Sequence, residues 1–211
     1  DAPHDEPLFT TEVPGGFRLV FQMMAENFTK LFKGDLRRYK LGRGDRISDQ
    51  SNAIHRIADK IAKAMGVPEF ELYISKEHPR ILVVENTVPP TIIVGQALIE
   101  GAHENEIRFI MGRSMWLIKK AMILPALLKP EDLELLVASV VRQYKDGFKP
   151  GDVDERQLST LTGQVRKLTK KMKQELMPFA LECSGRSVKP RLLGPAVINA
   201  GNRAGLLTCR T

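Results

Sequence analysis

A mostly helical α+β fold is what three features of this sequence predict. Apolar residues recur at helical spacing in several stretches. Three short β-rich runs, residues 70–75, 80–85 and 90–95, follow one another between turn residues. The order of the elements is helix, small sheet, helix and then further helices, which separates the strands from most of the helical chain.

Taken in order, residues 1–15 form an acidic, Pro-containing lead-in closed by Pro14-Gly15-Gly16. A first helix over residues 17–32 follows from Leu19, Val20, Met23, Met24, Phe28, Leu31 and Phe32, and Gly34 ends it. Arg37, Arg38, Lys40, Arg43 and Arg46 lie in a basic connector broken by glycines. The Arg43-Gly44-Asp45 triplet inside it is too short to mean adhesion. A second helix has Ser48 or Asp49 as its cap, Ile54, Ile57, Ala58, Ile61, Ala62 and Met65 on its inner face, and Gly66 at its exit. His78-Pro79 and Val88-Pro89-Pro90 separate the three strands. Helices are then expected over residues 103–122, 130–144 and 155–181, with a last one beginning near Pro195 and cut off by the end of the chain.

Size and composition set bounds. A chain of 211 residues buries roughly 70% of its extended surface, which is enough for a core without staples. No apolar run approaches the ~18 residues of a membrane span. Cys183 and Cys209 are too few for a disulfide framework, and a pair of free thiols suits a cytoplasmic protein. Asp1 in place of an initiating methionine suits a chain cut from something longer. The net charge of +7 permits nucleic acid, anionic lipid or an acidic protein as partner without choosing among them.

Several framework residues carry a resemblance. They are Leu72-Tyr73-Ile74-Ser75, then Ile81-Leu82-Val83-Val84-Glu85-Asn86, and then the run from Thr91 to Glu100. An acidic helix opens next at Glu104, and Gly201-Asn202-Arg203-Ala204-Gly205-Leu206-Leu207 comes last. Over roughly residues 50–210 this order resembles the HtpX and CaaX-prenyl-protease family of zinc metallopeptidases. The resemblance implies a zincin-like fold, with the small sheet packed on the former active-site helix. Residues 48–211 would form the peptidase-like domain, and residues 1–47 its lead-in and helix.

Carried over position by position, the family's chemistry is absent. The two HExxH histidines fall on Gly112 and Trp116, and the catalytic glutamate falls on Arg113. The third zinc ligand falls on Ile198, and the aspartate that follows it on Asn202. None of these side chains can serve as an imidazole or carboxylate ligand. The resemblance therefore implies a degenerate member with no catalytic residue, no metal and no cofactor. In zincins an edge strand lines the substrate groove, and Thr91, Ile92, Ile93 and Val94 are the expected counterpart, a place where a peptide would pair by strand addition.

Other constellations are thin. His103, Glu104 and Glu106 read as a solvated helix start, His55 as a half-exposed helix residue and His78 as a turn residue. No nucleophile elbow or phosphate loop occurs. The strongest charge feature is Arg166, Lys167, Lys170, Lys171 and Lys173, expected on one face of a single amphipathic helix opposite Val165, Leu168, Met172, Leu176 and Met177. That face is either a solvated surface or a strip for acidic partners, and the connector arginines extend it only if folding brings them alongside. The expected function is a non-catalytic interaction or scaffolding module that binds a protein partner within a larger assembly. Nucleic-acid or anionic-surface binding through the basic strip is the first alternative, and an enzyme of unrelated chemistry is the second.

Overall fold

The computed structural model describes residues 19–24, 34–149, 151, 153–185 and 189–210. The fold is α+β and mostly helical. Residues 19–24 are helical (α1), with Val20, Phe21 and Met24 buried and Leu19 turned outward. The rest of the expected first helix and the lead-in lie outside the described residues.

Helix α2 (Ala53–Met65) starts one turn later than its expected cap. Asn52 Oδ1 accepts the amides of Ile54 at 2.9 Å and His55 at 3.3 Å, while Asp49 is engaged by Ser51. Asn is among the best N-cap residues. Gly66 ends α2 at φ 68°, a left-handed conformation natural to glycine.

Strands β1 (Glu71–Ser75), β2 (Leu82–Glu85) and β3 (Thr91–Gly95) make one sheet in the order β1-β3-β2. β1 runs parallel to β3, and β2 runs antiparallel to it. Leu72, Val84, Ile92 and Val94 share the main core with the helices. On the other face Ser75, Glu85, Thr91 and Ile93 are also buried. Residues from 34 to 47 dock on the sheet: Arg46 bridges to Tyr73, and the Ile47 amide donates to Leu72 O at 2.8 Å.

The helical part comprises α3 (Glu104–Lys119), α4 (Ile123–Leu127), α5 (Pro130–Val141), α6 (Glu155–Val165), α7 (Lys170–Cys183) and α8 (Leu193–Thr208). The helix expected over residues 155–181 is thus two helices. Thr169 Oγ1 accepts the Met172 amide at 3.3 Å, and this local cap opens α7 afresh after a turn at residues 166–169. α8 begins at Leu193, slightly before Pro195.

α3 and α8 pack along a seam of small residues. A β carbon added at Gly112 would stand 2.2 Å from Thr208 Oγ1, and one at Gly205 would stand 2.6 Å from Phe109 O. Only a hydrogen side chain lets the two backbones approach so closely. Ala200, Gly201 and Ala204 are buried along the same helix.

Candidate functional site

The positions that the resemblance assigns to the peptidase site gather around this seam. Gly112 is buried against Thr208, and Trp116 is buried and meets α8 at Gly201, its Cε3 3.7 Å from where a β carbon there would stand. Ile198 and Asn202 are half-buried on α8, either side of Gly201 in sequence. The tail Gly201-Asn202-Arg203-Ala204-Gly205 therefore has a packing role, since Gly201, Ala204 and Gly205 are the residues it buries. Among the described residues no group of three or more His, Cys, Asp or Glu is arranged to hold a metal.

Arg113 behaves differently from its neighbours. Its Cγ lies 3.4 Å from a β carbon built at Gly201, so the aliphatic stem packs on the seam. Its Nε is buried and has no hydrogen-bond partner among the described residues. Burial pushes its pKa below the ordinary arginine value. The side chain lines a cavity of about 40 Å³ with Leu82 and Val84 of β2, Ser114 and Leu117 of α3, and Leu127 of α4.

The strand beside this cavity is not the one expected. Thr91, Ile92, Ile93 and Val94 lie in the central strand, wholly buried and paired on both sides. The reason is their composition: a continuous β-branched run that is apolar from Ile92 on can be covered on both faces. β2 is the edge strand beside α3. The Gly95 amide donates to Ile81 O at 2.7 Å. The antiparallel alternation then directs the N–H and C=O of Val83 and Glu85 toward β3, and those of Leu82 and Val84 outward. Among the described residues nothing bonds to the outward pair. Just beyond them, Gly34 N–H donates to Asn86 O at 2.8 Å and closes that end of the edge.

A second polar cluster went unread in the sequence. Glu85 is 1% exposed, and its carboxylate accepts from the Arg38 guanidinium and the Tyr39 hydroxyl. The Arg38 guanidinium carbon also stands 4.8 Å from the centre of the Tyr39 ring. Burial, with Glu85 adding to it, pushes the Tyr39 hydroxyl up to about 12. The signal available was an acid closing an apolar strand, opposite a connector rich in arginine.

The basic strip is broken up. Arg166, Lys167, Lys170 and Lys171 are exposed around the turn between α6 and α7, and Lys173 Nζ donates to Arg166 O at 2.6 Å. These cations do not share one helix face, because the helix expected to carry them is interrupted. Of the apolar residues set opposite them, Leu176 is buried but Met177 is 46% exposed. Three connector arginines are answered by acids: Arg37 by Asp35, Arg38 by Glu85 and Arg46 by Glu71. His103 caps α3 through its amide, which donates to Glu106 Oε2 at 2.7 Å. His55 stacks on Phe70, and His78 meets Tyr39 edge-on.

The chain matches no family model, no curated protein and no solved structure. Among the described residues no helix is long and apolar enough to cross a membrane.

Proposed function

We propose that this chain is a non-catalytic, zincin-like domain that works as a protein-interaction module, receiving an extended segment of a partner on the outer edge of β2. The observation that carries this reading is the outward backbone of Leu82 and Val84, to which nothing bonds among the described residues, beside Arg113 on α3. Unpaired strand edges are templates for another strand. The helix alongside offers neither an imidazole nor a carboxylate at the positions where a zinc peptidase holds its metal, so the bound segment would be kept and not cut.

The test is a display selection of blocked heptapeptides against the intact chain. Binders should lose affinity when alternate backbone amides are N-methylated, because only one set of amides faces β2. They should also lose affinity for Leu82→Pro, which removes an outward N–H and spares the sheet's own bonds. Binders indifferent to both changes, or stoichiometric zinc with chelator-sensitive peptide hydrolysis, would overturn the proposal.

A second reading rests on the exposed cations at the α6–α7 turn, which would hold a nucleic acid or an anionic surface. It requires a salt-dependent mobility shift, and absence of binding at low salt removes it.

A further inference from the structure

Arg113 carries a buried donor that nothing among the described residues answers. Desolvating a cation is costly unless a counter-charge or several acceptors replace the water. Here the Nε is covered and unpartnered among the described residues. Of the other side chains that line the cavity only Ser114 is polar, and its hydroxyl donates back to Ile110 O at 2.8 Å. Among the described residues no acid lines that space.

The cavity's size and neighbours narrow what would complete it. A cavity needs roughly 10–15 Å³ to hold a single water. About 40 Å³ is therefore room for a small polar group such as a carboxylate. The space adjoins the outward backbone of Leu82 and Val84, and the side chains of those two residues face the helices. In a strand added to β2, alternate side chains share that face and point toward α3.

Resting on the edge-strand reading above, we propose that the segment received on β2 is acidic: an aspartate or glutamate side chain enters this cavity, and its carboxylate takes the Arg113 guanidinium. Arg113 then selects among extended peptides, at a position where the resembling peptidases place a catalytic glutamate.

The test uses the intact chain and two sets of dye-labelled heptapeptides of alternating valine and threonine, blocked at both ends. One set carries a single glutamate walked through the positions, and the other carries glutamine at the same positions. Fluorescence anisotropy should show the best glutamate peptide binding about tenfold or more tighter than its glutamine partner, as expected for a charge-assisted hydrogen bond. Arg113→Met, which keeps an unbranched apolar stem, should erase that difference. Arg113→Lys should restore part of it, and thermal melts establish that both variants fold. Equal binding by the two sets overturns this inference while leaving the edge-strand reading in place. An acidic preference that survives Arg113→Met also overturns it, because the preference then belongs to another surface such as the α6–α7 turn. A glutamine peptide that gains the same affinity from a free C-terminus overturns the assignment to a side chain. If neither set binds at millimolar concentration, the inference and the edge-strand reading fall together.

Discussion

Glu85 at the end of β2 and Arg113 on α3 are charged side chains on neighbouring elements, and the interior treats them oppositely. Glu85 is almost wholly covered, yet two donors reach its carboxylate, Arg38 from the surface and Tyr39 from within. Arg113 is partly exposed overall, yet its Nε is covered and has no partner among the described residues. A buried charge with its donors in place fixes the geometry of its own surroundings. One without them is a cost the fold carries unless something outside the fold removes it. The difference separates a residue that holds residues 34–47 on the sheet from one available to a ligand.

The largest expected effect comes from Glu85→Ala. It leaves the buried Tyr39 hydroxyl without its acceptor, empties space under Gly34, and frees Arg38. Loss of charged hydrogen bonds of this kind costs about 3 kcal/mol, which lowers the melting temperature by roughly 6–12 °C in a chain of this size. A shift of only a degree or two would mean that Glu85 is no better supported than Arg113.

Tyr39→Phe comes next, at about 1 kcal/mol for one hydrogen bond. Its dependence on pH sharpens the point. The tyrosine's ordinary value of 10.0 applies to the unfolded chain, and the folded value is about 12, raised first by burial. Below pH 10 both states hold the proton and the contribution is fully present. Between pH 10 and about 12 the unfolded state ionises first, so stability falls as pH rises. Urea denaturation below and above pH 10 should therefore show the gap between wild type and variant shrinking in the alkaline range. Arg38→Met is smaller again, about 0.5 kcal/mol, because its side chain is 55% exposed and screened by solvent.

How far these features were legible depends on the range of the interaction that creates them. The strands read clearly because each is a short β-rich run bounded by turn residues, and α2, α3 and α5 read clearly from their spacing. Strand order did not, since pairing joins residues distant in sequence. Even so, the unbroken β-branched run from Thr91 to Val94 was itself a sign of a central strand. The split at residues 166–169 was hidden by its cations, although Thr169 is a good cap. Gly112, Gly201 and Gly205 read singly as losses or framework residues. Their purpose is a close helix contact that exists only when both helices are present. Arg113 was read only as the residue at the catalytic-glutamate position, and whether it had a partner depended on the three elements around its cavity.

The smallest stability effect should come from Arg113→Met, and that smallness is informative. If Arg113 has no acceptor in the free protein, removing its charge relieves a desolvation cost and sacrifices no hydrogen bond. Its apolar stem, packed at Gly201, is largely retained by methionine. Replacing buried charge with apolar groups of similar volume is often neutral or stabilising, so the melting temperature should stay level or rise. A drop worth about 2 kcal/mol or more would show that the guanidinium is already answered inside the fold. The contrast with Glu85 would then disappear, and with it the reason to expect an acidic guest beside β2.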